Sequence, residues 1–532
     1  MRGSLSLTGM SALLCALVPG CSPPGPATPA TGQPVIDGTF AVSLSGDPGS
    51  LDPYHAATFA PAFLLSLAYE GLVARGGDGE IVPNLAERWE VGPDRVSFVL
   101  RQGTTCASGE PLTINDVADN YRYVLDPANH SPLLGPGGLP RGTRLEVDEA
   151  ARTLTIQAPS PHSFLLESTG ILPIVCRRGL DDRSRLRRGT EGTNLFRLTE
   201  AVSNSHYELT RRDNYGWAHD GTRSDTPGVP RRVLVRIVPN QTTAANLLLA
   251  GELTAAAVSG PDRRRIEAAG FRAITSRAPA IQMWFNQAPG RLGADETIRR
   301  ALSLAIDVPQ LARIASSGLG LEPVRLAAAE PMACRSNIVA NATPRFDMAA
   351  ANALLDQAGW QRGADGIRSR GGRRLSLSMT WDQDLNDPTS SAYGAEYAVS
   401  QWRELGAEVR ARGVSGAAVG EVLFGTGDYD ISWTPIVVSM PSRFLLFVSG
   451  SPPPGGLNFS HANIAGVDEL IAQANQLPGR SSCPKWDEIE RLYLRTSAVL
   501  PVFDSDNAML TRGATFTLNG LVLRPTSIRL VG

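Results

Sequence analysis

Lysine is almost absent from this chain. Of its 50 basic residues only Lys485 is a lysine, and all the others are arginines. A P-loop needs a lysine directly before serine or threonine, because the ammonium group contacts the nucleotide phosphates. Lys485 lies between Pro484 and Trp486. The sequence therefore excludes a motor driven by a P-loop.

The common motifs of metal sites and hydrolases are also missing. The six histidines are scattered without His-x-His or His-Glu-x-x-His spacing, and there is no Cys-x-x-Cys pair and no Gly-x-Ser-x-Gly elbow. Zinc sites and α/β-hydrolases depend on such arrangements. We therefore expect no metal, no cofactor and no enzymatic activity. A secreted hydrolase that uses two carboxylates stays a remote alternative, and turnover of a bound compound would reveal it.

Charge and composition describe a folded chain with no attraction to nucleic acid. The formal net charge is -2 over 532 residues, of which 42% are hydrophobic and 19% charged. A chain of this length can bury more than one core, so we expect roughly two or three domains. A nearly neutral surface gives no electrostatic reason to bind nucleic acid.

The N-terminus has the pattern of an export signal. Arg2 precedes an apolar run at residues 5–18, which is too short to span a bilayer permanently. The run ends before Cys21, and this arrangement resembles a bacterial lipoprotein processing site. We expect a signal peptide at 1–20, lipidation of Cys21 and a tether at 21–38, which would hold the protein outside the cytoplasm on a membrane that it does not cross. An ordinary secretory signal is the alternative.

Four cysteines remain once Cys15 leaves with the signal and Cys21 carries the lipid. They are Cys106, Cys176, Cys334 and Cys483. An even number in an oxidising compartment favours two disulfides over free thiols, and three pairings are possible.

Strand and helix patterns alternate along the chain, which predicts an α/β fold. Residues 97–101, 232–238 and 375–379 read as strands, while 61–70, 296–306 and 348–358 read as helices. Thr113 is a suitable N-cap for a helix over 117–124. Gly359 is suited to end the predicted helix over 348–358.

Segments in chain order carry a resemblance to a known family. They are residues 50–53 (SLDP), 67–73 (LAYEGLV), 81–90 (IVPNLAERWE), 99–103 (VLRQG), 109–117 (GEPLTINDV), 249–253 (LAGEL), 285–286 (FN), 299–307 (RRALSLAID), 353–359 (ALLDQAG) and 363–368 (GADGIR). Together they resemble the peptide/nickel-type (family 5) extracellular solute-binding proteins of bacterial ABC importers.

The resemblance implies a two-lobed α/β clamshell of the periplasmic-binding-protein type (type II, cluster C-like), with an extra domain inserted near the N-terminus. Mapped onto this chain, lobe I comprises 39–62, 186–279 and 502–532, the inserted domain 63–185, and lobe II 280–501. Cys106 and Cys176 then share the inserted domain, and Cys334 and Cys483 share lobe II. We expect those two pairings, since bridges across a moving hinge would resist closure.

The function implied is capture of a peptide or peptide-like solute between the lobes, for delivery to an ABC permease. The protein would be a monomer attached to the cell membrane by its lipid. A binder of a metal chelate or other metabolite in the same fold, or a sensory lipoprotein without a permease, are the alternatives.

One feature of the family is missing. In peptide-binding relatives, an aspartate in the loop after the segment equivalent to 429–433 (YDISW) binds the ligand's amino terminus. Here Ser439 or Val437 occupies that place, and residues 431–467 contain no Asp or Glu. A buried ammonium would have no partner there. We expect a solute without a free amino terminus at this point.

The resemblance and the aromatic residues indicate which residues line the groove. Tryptophan side chains concentrate at binding surfaces but are more often core, and Asn286 could equally be a structural cap. The candidates are Ala57, Thr58, Phe59, Trp284, Asn286, Trp381, Trp433 and Ser439.

Overall fold

The structure is a computed structural model that describes residues 32–56, 59–135, 138–383 and 388–532. The expected signal at 1–20, Cys21, residues 22–31 of the tether, and the candidate contacts Ala57 and Thr58 lie outside the described residues. Within the described ranges, no helix has both the length and the apolarity needed to cross a membrane.

Helices are spread over the whole described chain. The α-helices are α1 Phe59–Ser66, α2 Ile114–Leu125, α3 Leu165–Gly170, α4 Arg177–Asp181, α5 Gln241–Leu249, α6 Gly260–Ala268, α7 Glu296–Leu304, α8 Val308–Ala315, α9 Met348–Gln357, α10 Pro388–Leu405, α11 Gly416–Glu421, α12 Pro441–Leu445, α13 Val467–Asn475 and α14 Cys483–Arg495. Short 3₁₀ turns occupy Pro127–Asn129, Arg183–Arg187, Leu292–Ala294, Gly479–Ser482 and Pro525–Ser527, and Val422–Thr426 forms a π turn.

Local sequence signals define the ends of several helices. The Thr113 hydroxyl accepts a hydrogen bond from the Asp116 amide at 3.1 Å, and the Asp116 carboxylate accepts one from the Thr113 amide at 2.9 Å. This reciprocal capping box satisfies two donors at the start of α2. Gly359 follows α9 with φ +81°, a left-handed conformation that glycine adopts without strain. Both predicted caps are confirmed.

Strands alternate with these helices. They are β1 Thr39–Leu44, β2 Val73–Arg75, β3 Ile81–Pro83, β4 Ala86–Val91, β5 Arg95–Leu100, β6 Arg144–Asp148, β7 Thr153–Gln157, β8 Phe196–Val202, β9 His206–Arg211, β10 Arg232–Ile237, β11 Ala255–Ala257, β12 Arg272–Phe285, β13 Gln361–Arg362, β14 Arg368–Arg370, β15 Arg373–Arg374, β16 Ser376–Asp382, β17 Glu408–Val414, β18 Ile431–Trp433, β19 Val499–Thr511, β20 Ala514–Thr515, β21 Leu518–Asn519, β22 Val522–Leu523 and β23 Arg529–Leu530.

A ten-stranded sheet connects the two halves of the molecule. Its order is β17-β16-β18-β12-β19-β11-β1-β10-β9-β8, and a separate four-stranded sheet has the order β4-β5-β7-β6. The long strands β12 and β19 pair antiparallel from Arg272 with Thr511 to Trp284 with Val499. One end of this pair contacts β11, and the other contacts β18. β12 and β19 therefore form the connection between the two α/β halves.

Buried apolar residues form separate clusters on either side of this connection. One cluster contains β1, β5, α2, β9 and β10, and a small neighbouring cluster packs α5 and α6 against β19. Two others lie at the far end of β12, around α7 to α10 and around α12 to α14. Two α/β bodies with their own cores, joined by two long strands, make a two-lobed clamshell.

The cysteines lie near one another in pairs. Cys106 and Cys176 have their Cα atoms 6.0 Å apart, and Cys334 and Cys483 have theirs 5.5 Å apart. In each pair the two sulfur atoms are bonded in the structure.

Candidate ligand-binding site

A cavity of 580 Å³ lies where several parts of the chain meet. Its walls come from residues within 53–75, from the 215–219 loop, from 329–331, from 437–443 and from 519–526. The expected inserted domain, lobe I and lobe II all contribute. Its volume is in the range usual for pockets that enclose small molecules.

The lobe II wall is formed by the loop that follows β18. The Ala333 amide donates to the Ser439 carbonyl oxygen at 2.9 Å, and the Ala329 amide donates to the Val438 carbonyl oxygen at 3.1 Å. These bonds tie the loop to residues 329–333. Ser439 thus stands at the cavity surface.

Arg75 faces Ser439 from the end of β2. The buried side chain donates from Nη1 to the Ser439 Oγ at 2.8 Å and to the Pro331 carbonyl oxygen at 3.3 Å. Burial lowers the pKa of Arg75, and the charge of Glu167 opposes that change. A cation therefore occupies the side of the wall next to Ser439.

Arg443, in α12, adds a second cation to the same wall. Its Nε is buried and has no hydrogen-bond partner among the described residues. Burial and then the like charge of Arg75 lower the pKa of Arg443 to about 10. The two guanidinium groups are thus close enough to repel one another.

Glu70 lines the cavity but is engaged inside the protein. Its carboxylate accepts hydrogen bonds from Tyr215 Oη at 2.8 Å, Thr193 Oγ1 at 2.8 Å and Trp217 Nε1 at 3.1 Å. Burial raises the pKa of Glu70, and these three donors oppose the shift. Glu70 holds the 193–217 segment in place.

Two of the predicted contacts lie inside lobe II instead of on the cavity wall. Trp284 is fully buried, donates from Nε1 to the Thr434 carbonyl oxygen at 3.0 Å, and packs against Phe444 with ring centroids 5.7 Å apart. Asn286 is also buried, and its Nδ2 donates to the Tyr429 carbonyl oxygen at 2.9 Å. Neither side chain offers a surface to a solute in this conformation, because both are enclosed by neighbouring strands and helices.

The remaining candidates lie apart from the 580 Å³ cavity. Trp433 is 3% exposed and packs in the core of lobe II, and half-buried Trp381 lies against Gly413. The indole N–H groups of both are buried without an acceptor among the described residues. Phe59 is 42% exposed and lines a second cavity, of 390 Å³, between α1, α5 and β19.

Arg75 and Arg443 are not among the residues predicted from the sequence. One signal for Arg443 was present, since it is the only arginine in the acid-free stretch 431–467. Arg75 has no comparable local signal.

Two α/β lobes joined by paired strands, with a solute-sized cavity at their junction, define the class of two-lobed solute-binding proteins. The model of the bacterial extracellular solute-binding proteins, family 5 (middle), matches residues 80–451, and the chain belongs to this family. It is accordingly a binding protein and not an enzyme.

Three relatives illustrate the range of the family. Protein XP55 of Streptomyces lividans is 29% identical over 374 residues, which cover 66% of this chain and 62% of that protein. The probable deoxycholate-binding periplasmic protein YgiS of Escherichia coli is 26% identical over 479 residues, or 82% of each chain. The periplasmic murein peptide-binding protein MppA of E. coli is 22% identical over 501 residues, or 88% of each. The unliganded open form of MppA superimposes with a TM-score of 0.72 and 19% identity, over 95% of this chain and 99% of that one.

Proposed function

We propose that this protein is the extracytoplasmic solute-binding component of an ABC importer. It captures a peptide-like or other amphipathic solute in the 580 Å³ cavity and delivers it to a permease. The observation that carries the proposal is that this cavity has walls from both sides of the molecule, so that closure around a solute would exclude water. Family membership and relatives described as binding a murein peptide or deoxycholate support it.

The wall around Ser439 narrows the class of solute. Residues 431–467 contain no carboxylate, and Arg75 donates to Ser439 where an acid would be needed to pair with an ammonium. The solute therefore has no free amino terminus at this point, because a buried ammonium beside a guanidinium would be unpaired and repelled.

The proposal includes the position of the protein in the cell. A signal at 1–20 directs export, lipid on Cys21 anchors the chain, and residues 21–38 tether a monomeric receptor at the outer face of the cell membrane. The domain boundaries follow the map given for lobe I, the inserted domain and lobe II. Disulfides Cys106–Cys176 and Cys334–Cys483 form after export, and each lies within one of these domains.

Native mass spectrometry tests the capture of a solute. The protein without its signal and lipidated cysteine, from residue 22 onward, is incubated with a small-molecule extract of its own host. We expect a bound species of defined mass and a rise in the unfolding temperature, because a ligand that binds only the folded state stabilises it. The same protein without extract is the control. The absence of both signals would overturn the proposal, and a bound peptide whose amino terminus lies at Ser439 would overturn the narrower claim.

A further inference from the structure

The charged groups of the 580 Å³ cavity do not balance. Three arginines line it, namely Arg75, Arg443 and Arg524. Arg524 Nη2 lies 3.1 Å from His219 Nε2 and reaches an exposed part of the rim. No carboxylate of the described residues forms an ion pair within 4.0 Å of Arg75 or Arg443.

The acidic residues nearby do not neutralise these two cations. Glu70 is held by three internal donors, as described above. Glu330 accepts a hydrogen bond from the Arg277 amide at 2.9 Å, on the side toward β12. Glu167 is the carboxylate whose charge acts on Arg75, but burial raises its pKa and so favours its neutral form, and its Oε2 has no hydrogen-bond partner in the described structure. Of these acids, only Glu167 acts on the wall through its charge, and it faces two guanidinium groups.

Arg75 is buried and Arg443 is half-buried with a buried Nε, and neither has an ion-pair partner among the described residues, so their presence at a cavity wall needs an explanation. Burying a charge destabilises the folded protein unless the charge is paired and hydrogen-bonded. Arg75 has two acceptors, both neutral, and Arg443 Nε has none among the described residues. Both side chains reach the cavity surface. The negatively charged partner of Arg75 and Arg443 is therefore expected on the solute that enters the cavity.

Building on the proposed function, we propose that the solute carries an anionic oxygen group, a carboxylate or a phosphate, which binds between Arg75 and Arg443 beside Ser439. The planar guanidinium presents a fork of N–H donors that matches the oxygens of either group. The Ser439 hydroxyl, which accepts from Arg75, keeps its own hydrogen free to donate to the same anion. A neutral amide or ester at this point would leave the two charges unpaired.

The test uses chemically modified extracts as probes. Host extract is divided into an untreated portion, a portion whose carboxylates are converted to methylamides with carbodiimide and methylamine, and a portion treated with phosphatase. Each is incubated with the exported protein, and bound masses and unfolding temperatures are measured. We expect the untreated extract to give a bound species. That species is lost after amidation if the group is a carboxylate and after phosphatase if it is a phosphate ester.

Variants of Arg75 and Arg443 test whether the solute binds at this wall of the cavity. Arg443→Met and Arg75→Gln should each weaken capture from untreated extract by about tenfold or more, as expected for loss of a hydrogen-bonded charge. Arg443→Lys should retain part of the binding. Arg88→Gln, on the surface beside Glu87, is the matched control and should bind as the unaltered protein does.

A measurement without solute separates a binding role from a structural one. Removing a half-buried cation that has no ion-pair partner should leave the unfolding temperature of the free Arg443→Met protein equal or higher. A structural arginine would give a lower unfolding temperature, and Arg443→Lys would then restore it together with binding.

The outcomes distinguish the two proposals. If no extract gives a bound species, the proposed function fails and this inference fails with it. If the modified portions bind as well as the untreated one, or if Arg443→Met binds unchanged, the anionic site is wrong while solute capture stands.

Discussion

Arg75 Nη1 donates a hydrogen bond to Ser439 Oγ across 2.8 Å, and this bond joins the end of β2 to the loop that follows β18. The two residues belong to the expected inserted domain and to lobe II. The same two parts of the chain also meet where the Ser163 hydroxyl donates to the Ala474 carbonyl oxygen at 2.8 Å. The cavity wall is thus formed jointly by these two parts of the chain, as a receptor that encloses its solute requires.

An acid at position 439 should turn this contact into an ion pair. In Ser439→Asp the carboxylate would lie beside Arg75, so we expect the free protein to gain stability and capture of acidic solutes to weaken by about tenfold or more. Thermal unfolding and native mass spectrometry with untreated host extract measure the two effects. Ser336→Asp, at an exposed site, is the control. Unchanged capture by Ser439→Asp would mean that the solute does not approach this wall.

Trp284 should contribute to the stability of the folded protein and not to the binding of the solute. It is fully buried and packs against Phe444 and Phe459, so Trp284→Ala should lower the free energy of unfolding by about 3–5 kcal/mol. Well below the unfolding temperature, the mass of the captured species should be unchanged. Phe346→Ala, at a side chain 47% exposed, should change stability by about 0.5 kcal/mol or less. Loss of capture by folded Trp284→Ala would return Trp284 to the list of contacts.

Features that depend on neighbours in sequence could be predicted, and those that depend on distant packing could not. The capping box of Thr113 and Asp116 lies within one turn, so its pattern is visible in the sequence. Trp284 was misplaced because the direction of its ring depends on pairing with Ser432 and Val499 and on the position of Phe444. Arg75 was missed for the same reason, since only folding brings β2 to the loop at Ser439.

The family resemblance pointed to the loop that contains Val437 and Ser439, but it did not indicate which charged group lies beside that loop. It placed Ser439 or Val437 at the wall, and both line the cavity. The replacement of an expected acid by a guanidinium from another part of the chain is a tertiary effect. No sequence pattern near residue 439 predicts that Arg75 lies beside it.

The cysteine pairing can be tested directly. Peptide mapping without reduction should recover Cys106 joined to Cys176 and Cys334 joined to Cys483. Removing either bridge by a double Cys→Ser change should lower the free energy of unfolding by about 2–5 kcal/mol, because each closes a long loop of the unfolded chain. A peptide joining Cys106 to Cys334 or Cys483 would contradict both the pairing and the domain map.

A buried ion pair lies within the strands that connect the lobes. Asp504 Oδ2 in β19 lies 2.8 Å from Arg277 Nη1 in β12, and the Asp504 side chain is 3% exposed. Burial raises the pKa of Asp504 to about 6, although the bond to Arg277 opposes the shift. Folded and unfolded chains therefore bind different numbers of protons in mildly acidic solution.

The sign of the resulting pH dependence follows from this difference. Between the ordinary aspartate pKa of 3.8 and about 6, the folded protein keeps a proton on Asp504 that the unfolded chain has lost. Stability from this group is therefore full below that window and falls by about 3 kcal/mol as the pH rises through it. Urea unfolding at pH 4 and at pH 6.5 should show this loss as a difference between the unaltered protein and Asp504→Asn, which cannot titrate. Arg277→Met should move the upper end of the window to higher pH, because it removes the cation that favours the ionised form. If the difference between the unaltered protein and Asp504→Asn were the same at both pH values, Asp504 would have an ordinary pKa, and the connection between the lobes would not sense pH through this residue.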